Sequence, residues 1–552
     1  MKSKYLFTGI VISGILFLSG MVFQSVFKIT PEIISGAEKI SDLEFTPVER
    51  DSMIDLLNDQ LKNYQNIHKY NLKNSTPPAI YFYPIPTGFN ISNKQKPISW
   101  ERNTKIKLPE NPDDLAFYSI TDLSELIRTK QISSEKLTRF YIDRLKKYGP
   151  KLECTITLTE DLAIQQAKKA DSEIAAGKYR GMLHGIPYGV KDLLTTKAYK
   201  TTWGSAAYKD QVIDEDAEVV KRLTNAGAVL CAKLTLGELA MDDVWFGGMT
   251  RNPWNYEEGS SGSSAGPASA TAAGLLAFTI GSETWGSIVS PSTRCGTTGL
   301  RPTYGRVSRT GAMALSWSMD KLGPICRTVE DCAIVFDVIK GTDGIDKTLI
   351  DADFNYDSNL NIKKLKIGYL KNDFDSVKSG KEFNEATLSV LRKMGVELIP
   401  VELPKFPVND ISIILTAEAS AAFDDLTRSN RDDLLVRQFK YAWPNIFRSG
   451  RFIPAVEYIQ ANRIRFDLIQ SMEKLMNEVD VYISPNFEGD NLLLTNLSGH
   501  PCVVLPNGFN KNGTPTSITL IGKLFGEAEL LGVAKKIQTA TDFHLKHPKL
   551  KS

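Results

Sequence analysis

The chain has 552 residues, of which 42% are hydrophobic and 24% charged, and its formal net charge is +2. A chain of this length is too long to fold around one small hydrophobic core, and it fits one large α/β enzyme with an appended segment. The small net charge gives no reason to expect a nucleic acid or an acidic polymer as partner. The six cysteines form no CxxC pair. Their spacing therefore predicts neither a metal site nor a dense disulfide scaffold, although one or two disulfides stay open.

The N-terminus carries a long apolar segment. Lys2 and Lys4 precede Tyr5–Phe27, a run of 23 residues without a charge, and Lys28 closes the run. A helix needs about 20 apolar residues to cross a bilayer. We therefore expect a signal-anchor over residues 1–28, with a cleaved signal peptide as the second choice and a buried core helix as the third. The catalytic body is expected outside the cytoplasm, anchored in the membrane or exported to the cell envelope.

Residues 29–114 are predicted to form an N-terminal extension. Thr46-Pro47-Val48-Glu49 is typical of a capping box with proline at the first helical position. Ile54, Leu57 and Leu61 then recur with helical spacing, which predicts an amphipathic helix. Residues 76–93 contain four prolines among aromatic residues. That composition predicts an extended or turn-rich connector.

The main domain is expected over residues 115–545, followed by a tail at 546–552. Short apolar runs alternate along it with amphipathic segments. This alternation predicts an α/β sheet with helices on both faces. The predicted strands include 186–190, 228–232, 365–369 and 396–401, and the predicted helices include 163–176, 217–226 and 383–394.

A run of small residues at 260–266 lies within core-like sequence, which disfavours a flexible linker. Gly262–Gly266 also fits the GxSxG motif of an α/β-hydrolase elbow, with Ser264 as nucleophile. That motif requires a preceding strand, whereas we interpret residues 252–258 as a turn. It also requires a downstream histidine, and His500 is the candidate. The elbow therefore remains a weak alternative.

A second small-residue run contains Gly281 and Gly286, which bracket the approach to Ser287. A serine on such a turn can expose its hydroxyl while neighbouring backbone N–H groups point at an incoming carbonyl. That arrangement forms an oxyanion hole. An ordinary glycine-rich loop between a strand and a helix is the alternative.

Lys191 is a candidate general base. A serine hydroxyl becomes a good nucleophile only when a base takes its proton, and a lysine can do so only when it is neutral. Lys191 follows the apolar strand predicted at 186–190, which would carry it into the interior and lower its pKa. The alternative is a structural ion pair with the adjacent Asp192.

Together these segments resemble the amidase signature family over roughly residues 115–545, and in motif form they are nearest to the peptide amidase-like branch. No single motif decides this resemblance, but their order and spacing are highly specific. The matching segments are Gly185–Asp192, Thr202, Gly204-Ser205, Asn252–Asn255, Gly262–Ser264, Gly281–Ile288, Cys295-Gly296, Gly299–Ser308, Asp320, Gly323-Pro324, Leu497–Pro506 and Gly513–Pro515.

The resemblance implies an α/β/α sandwich around a large mixed β-sheet and a Ser–cis-Ser–Lys triad. In this triad Ser287 is the nucleophile, Ser263 the bridging cis-serine and Lys191 the base. Neither a metal nor a cofactor is expected. The backbone N–H groups implied to bind the oxyanion are those of Thr284, Trp285, Gly286 and Ser287.

Departures from the family pattern bear on specificity. Trp285 stands where many members have glycine. Its bulk could narrow the acyl pocket, or its ring could form an aromatic wall of that pocket. Val289 replaces a common arginine, which leaves a carboxylate-binding role there unsupported. Ser264 and Trp285 are the residues expected to contact substrate.

The resemblance implies an amidase that cleaves a carboxamide C–N bond through an acyl-enzyme, giving a carboxylic acid and ammonia or an amine. Its partners would be a small-molecule or peptide amide and, through the N-terminal helix, a membrane; a homodimer is one option for its assembly. One alternative is the glutaminase subunit of a tRNA-dependent amidotransferase, which the apolar N-terminus disfavours. Another is a non-catalytic, membrane-anchored amide-binding protein.

Overall fold

A computed structural model describes residues 28–69 and 72–551 of the chain. The predicted membrane segment at 5–27 lies outside these residues, so it stays a prediction. Among the helices within the described ranges, none combines the length and the apolar character that a bilayer crossing requires. The described residues divide into two compact units, one that ends at Leu72 and one that begins at Lys73.

In the shorter unit, helix α1 spans Pro31–Ser41 and helix α2 spans Pro47–Ile67. The predicted capping box at the start of α2 is present. The backbone N–H of Glu49 donates to Thr46 Oγ1 over 3.3 Å, and that of Thr46 donates to the Glu49 carboxylate over 2.7 Å. The predicted apolar positions of α2 are only half-buried. Arg50 joins the two helices by binding the carboxylate of Glu38 with two nitrogens, each at 2.8 Å.

The larger unit begins at Lys73, whereas the sequence placed the start of the main domain at 115. Residues 73–114 thus belong to the same compact unit as the sheet. As predicted, the proline-rich stretch at 76–93 forms neither helix nor strand. Further along, Ser99 N–H donates to the carbonyl of Tyr356 over 3.1 Å, which fastens the extended chain to the body.

An eleven-stranded sheet forms the centre of the larger unit, as far as the described residues show. Its strands are β1 Thr155–Leu158, β2 Pro187–Lys191, β3 Val229–Leu234, β8 Phe278–Glu283, β9 Thr298–Arg301, β10 Lys321–Cys326, β11 Ile367–Leu370, β12 Leu398–Val401, β13 Val481–Pro485, β14 Cys502–Phe509 and β15 Pro515–Gly522. Their order in the sheet is β1-β3-β2-β8-β10-β9-β14-β15-β13-β11-β12. The strands β2-β3, β2-β8, β11-β12 and β11-β13 pair in parallel and the other neighbours pair antiparallel, which confirms the expected mixed sheet.

Both faces of the sheet are buried against apolar side chains. On β14, Val503 and Leu505 belong to one hydrophobic cluster, whereas Cys502 and Val504 belong to another. This alternation follows from the two-residue period of a strand. The helices of the larger unit are α3 Ile120–Arg128, α4 Ser134–Leu152, α5 Glu160–Ala175, α6 Glu218–Asn225, α7 Ala265–Ala272, α8 Val289–Cys295, α9 Val329–Ile339, α10 Lys371–Ser376, α11 Lys381–Lys393, α12 Val408–Ile411, α13 Ile413–Ala422, α14 Asp424–Arg428, α15 Trp443–Gly450, α16 Ala455–Glu478, α17 Asn491–Ser498 and α18 Glu527–Thr539.

Two short hairpins precede the first small-residue run, and the sequence predicted neither of them. The interpretation of residues 252–258 as a turn was wrong in part. Strand β6 (Arg251–Asn252) pairs with β7 (Asn255–Gly259), so only Pro253-Trp254 forms the turn of a short hairpin. Another short hairpin precedes it, formed by β4 (Val244–Trp245) and β5 (Gly248–Met249).

All six cysteines are free and buried.

Candidate active site

Strand β2 carries Lys191 into the interior, where its side chain is fully buried. The Nζ atom donates to three hydroxyls, those of Ser263 at 2.8 Å, Ser282 at 2.9 Å and Ser264 at 3.2 Å. The alternative ion pair with Asp192 does not form. Successive side chains of a strand point to opposite faces, and Asp192 instead pairs with Lys233 at 3.0 Å.

The environment of Lys191 favours its neutral form. Burial removes water from the ammonium, and this lowers the pKa of Lys191 from 10.5 to about 7. Asp320 and Glu283 oppose the shift by their charge, but neither forms a salt bridge with Lys191 among the described residues. A neutral amine surrounded by hydroxyls can accept a proton from one of them.

The first small-residue run places Ser263 beside Lys191. The peptide bond between Gly262 and Ser263 is cis, the form that the family resemblance implies. A β-carbon at position 262 would lie 1.7 Å from the carbonyl oxygen of Asp242, so the backbone approaches too closely for any residue but glycine. Helix α7 begins two residues after Ser263. The N–H of Ser264 donates to the carbonyl of Ser287 over 3.1 Å, which joins the two small-residue runs.

Hydrogen bonds to Lys191 and to the backbone of Ser282 engage the hydroxyl of Ser264. Besides accepting from Lys191, its hydroxyl accepts from the N–H of Ser282 at 3.1 Å and donates to the carbonyl of Ser282 at 3.0 Å. The histidine that the elbow alternative requires is engaged elsewhere. His500 Nδ1 hydrogen-bonds the hydroxyl of Ser498 at 2.9 Å, and burial lowers the pKa of His500 to about 3. Within the described chain, no hydrogen bond joins Ser264 to a histidine.

The second small-residue run links the end of β8 to α8. Gly286 adopts a φ of +86°, a conformation that favours glycine, and Ser287 follows it half-buried. Across the described residues, the backbone N–H groups of 284–287 donate to no protein acceptor. Buried N–H groups normally have partners, and Thr284 and Gly286 are buried, so this turn leaves donors available to an oxyanion. They belong to Thr284, Trp285, Gly286 and Ser287, the residues that the resemblance implies.

A buried carboxylate, overlooked in the sequence, holds this turn in place. Glu283 accepts hydrogen bonds from the N–H groups of Ile288 at 2.8 Å and Val289 at 2.9 Å. It also accepts from Arg301 at 2.7 Å and Asn496 at 2.9 Å. Burial is the strongest single influence and opposes ionisation, but the Arg301 guanidinium, the charge of Lys321 and the Val289 N–H together lower the pKa of Glu283 to about 2. Glu283 lies within the segment Gly281–Ile288 that carries the family resemblance, but the sequence predicted no role for it in the site.

The Ser263 and Ser287 hydroxyls are not hydrogen-bonded to each other in the described part of the chain. The Ser263 hydroxyl is oriented by Lys191, and the Ser287 backbone is held by Ser264. Hydrogen bonds between catalytic groups are often long or misaligned in unliganded enzymes and tighten when substrate binds.

A large cavity borders this centre. Its volume is about 1070 Å³, and its lining is mainly apolar. It reaches Ser282, which binds Lys191, and Thr284, whose hydroxyl donates to half-buried Asp320 at 2.6 Å. Ser264 and Trp285, the two residues expected to contact substrate, are not among the lining residues. Trp285 is 43% exposed.

The chain is similar to known proteins over most of its length. The family described as Amidase matches residues 136–531. A glutamyl-tRNA(Gln) amidotransferase subunit of Prochlorococcus marinus (strain NATL2A) is 32% identical, over 78% of this chain and 98% of that protein. Its counterpart in Carboxydothermus hydrogenoformans is 33% identical, over 79% and 100%. The native peptide amidase from Stenotrophomonas maltophilia has a TM-score of 0.71 and 27% identity, over 79% of this chain and 99% of that chain.

Proposed function

The chain belongs to the amidase family, and we propose that it hydrolyses a carboxamide through an acyl-enzyme on Ser287. One observation carries the proposal: in the described part of the chain, a buried lysine without a carboxylate partner lies within hydrogen-bonding distance of Ser263, beside a turn whose four N–H groups have no protein acceptor. The lysine supplies a base and the turn supplies an oxyanion hole. The membrane-bound or exported location expected from residues 5–27 remains part of the proposal.

In the proposed reaction, neutral Lys191 takes the proton of Ser263, which takes the proton of Ser287. The Ser287 oxygen then attacks the amide carbonyl carbon, and the carbonyl electrons move onto oxygen. The N–H groups of residues 284–287 stabilise this oxyanion. The C–N bond breaks as the nitrogen receives the relayed proton, and ammonia or an amine leaves. Water then adds to the acyl-enzyme by the same relay and releases the carboxylic acid.

The test compares wild type with Ser287→Ala and Ser264→Ala on a panel of primary carboxamides, C-terminally amidated peptides and L-glutamine. Loss of the nucleophile is expected to lower kcat/KM by at least about 10³-fold. A fluorophosphonate should label wild type at Ser287, as located by mass spectrometry. If Ser264→Ala abolishes labelling and Ser287→Ala does not, the nucleophile is assigned wrongly. If wild type neither reacts nor turns over any amide, the amide-binding alternative is favoured.

The second candidate is a glutaminase subunit of an amidotransferase. The sequence comparisons favour it over a free-standing amidase, because the curated relatives at 32–33% identity are amidotransferase subunits matched over 98–100% of their length. The mainly apolar cavity beside Thr284 favours a different substrate, because a polar carboxamide such as glutamine needs polar partners when buried.

The amide panel separates these two candidates. A free-standing amidase should hydrolyse apolar carboxamides without a partner and turn over glutamine poorly. A glutaminase subunit should show the reverse preference. Co-purification with partner subunits, together with glutamine as the best substrate, would establish the second candidate.

A further inference from the structure

A segment far from the catalytic motifs forms part of the cavity wall. We call residues 74–83 the strap. Eight of its ten residues line the cavity, so the strap meets the same space as Ser282 and Thr284. The family match begins only at residue 136. The strap therefore lies outside the segment matched by the family, and it forms part of the wall of the cavity beside the reaction centre. The lining residues of the strap are Asn74, Ser75, Pro77, Pro78, Ile80, Tyr81, Phe82 and Tyr83.

Side-chain hydrogen bonds fasten the strap at its N-terminal end. Asn74 Nδ2 donates to the carbonyl of Ala314 at 2.8 Å and to that of Ala422 at 3.2 Å. The N–H of Ala314 in turn donates to Asn74 Oδ1 at 2.8 Å. Beyond the other end, Thr87 N–H donates to Gln470 Oε1 at 3.1 Å. One asparagine thus bridges two regions of the body, and the strap is held at both ends.

The centre of the strap is held by Phe82. The guanidinium carbon of Arg465 lies 3.5 Å from the centre of the Phe82 ring, and Tyr304 meets the ring edge-on at 5.0 Å between centres. Arg465 is buried and donates to Ser318 and to the carbonyl of Leu497. Phe82 therefore covers a desolvated cation, a contact that attracts the ring to the guanidinium. This contact fixes the neighbouring Tyr81 and Tyr83 at the cavity.

The strap adds apolar surface that is left partly uncovered. Ile80 is 86% exposed and Tyr83 is 66% exposed, yet both line the cavity. Pro77 and Pro78 stiffen the backbone before them. The cavity volume of about 1070 Å³ lies just above the range of roughly 300–1,000 Å³ seen for small-molecule sites. A substrate with a large apolar group would cover this surface, whereas a small polar amide would leave it in water.

We propose that the strap is a specificity element that selects carboxamides with a large apolar substituent. This inference rests on the proposed function and extends it to a substrate class. The apolar group lies against Tyr81 and Tyr83, and the amide lies at the end of the cavity lined by Thr284, three residues before Ser287 in the chain. Small amides reach the same serine without touching the strap, so the strap governs preference and not the chemical step.

The experiment measures how fast Ser287 reacts with a short and a long probe, methyl and dodecyl alkyl fluorophosphonate, together with kcat/KM for propanamide and decanamide. Tyr83→Ala removes one wall, and Asn74→Ala releases the anchored end. Tyr441→Ala is the matched control, because Tyr441 is 67% exposed and does not line the cavity. Melting temperatures verify that each variant is folded.

We expect both strap variants to lower the long-to-short ratio of labelling rates at least fivefold, while the control stays within twofold of wild type. If the long-to-short ratio of labelling rates is the same in wild type, both strap variants and the control, and Ser287 is still labelled, the role of the strap is overturned and the proposed function stands. A fall in both rates by the same factor would overturn the role of the strap also. If neither probe labels Ser287 in wild type, the proposed function fails, and the inference fails with it.

Discussion

Two buried lysines on neighbouring strands of one sheet have opposite surroundings. Lys191 ends β2 and Lys233 lies in β3, where it is paired in register with Val190. Both side chains are fully buried. Lys233 faces Asp192 at 3.0 Å and donates to the carbonyl of Lys200 at 2.8 Å. Among the described residues, the hydrogen-bond partners of Lys191 are all serine hydroxyls.

The hydrogen-bond partners of a buried lysine decide whether it can act as a base. Burial lowers the pKa of both lysines, but at Lys233 the charge of Asp192 opposes the shift. A carboxylate partner keeps the ammonium charged and turns the pair into a structural element. Hydroxyl partners do not stabilise a charge in this way, so the amine remains available to take a proton. Replacing one lysine at a time should separate the catalytic role of Lys191 from the structural role of Lys233.

The largest effect is expected for Lys191→Met. Methionine has a similar length but cannot accept a proton, so kcat/KM should fall by about 10²–10⁴-fold, the usual worth of a general base. The melting temperature should stay close to that of wild type, because no buried carboxylate loses a partner. Activity assays and calorimetry on the same samples check both statements. A variant that retains full activity would show that Lys191 is not the base.

The converse is expected for Lys233→Met. This change leaves Asp192 buried without its cation, which should lower the free energy of unfolding by about 3–5 kcal/mol. Active-site titration should show that the folded fraction keeps a kcat near that of wild type. The double variant Lys233→Met/Asp192→Leu should recover most of the lost stability, as measured by denaturant unfolding. No recovery would contradict the role of the pair.

The pH dependence should follow Lys191. Its lowered pKa of about 7 means that the neutral base predominates above pH 7 and the protonated form below it. We expect kcat/KM to be level above about pH 7 and to fall roughly tenfold for each unit below it. The residual activity of Lys191→Met should lack this limb. A profile that falls instead as the pH rises above 7 would contradict a neutral lysine.

A smaller effect is expected for Ser282→Ala. Its hydroxyl accepts from Lys191 at 2.9 Å, and removing it takes away one partner of the ammonium form. The pKa of Lys191 should fall further, so the midpoint of the pH profile should move to lower pH by up to about one unit. Thr201→Ala, which removes a hydroxyl that accepts from Lys233, should leave this midpoint unchanged. An upward shift in Ser282→Ala would contradict this account.

Local signals in the sequence were enough to predict the elements around the site. The apolar run before Lys191 predicted a buried strand ending at a lysine, and β2 has that form. The capping box at Thr46 and the helix at 383–394 were predicted for the same reason, because caps and periodicity depend on neighbouring residues. The hairpin at 251–259 was missed, because strands of two to five residues leave little pattern.

By itself, the sequence determined the residue types of the site and their order along the chain, and hence the family. The tertiary structure decided their partners. It separated Lys191 from Asp192 by the alternation of a strand, and it brought Lys233 to Asp192 and Arg301 to Glu283. It also placed the strap on a cavity whose other walls lie more than a hundred residues away. These contacts join distant segments, so they follow from packing and charge pairing in the folded protein, which no local pattern records.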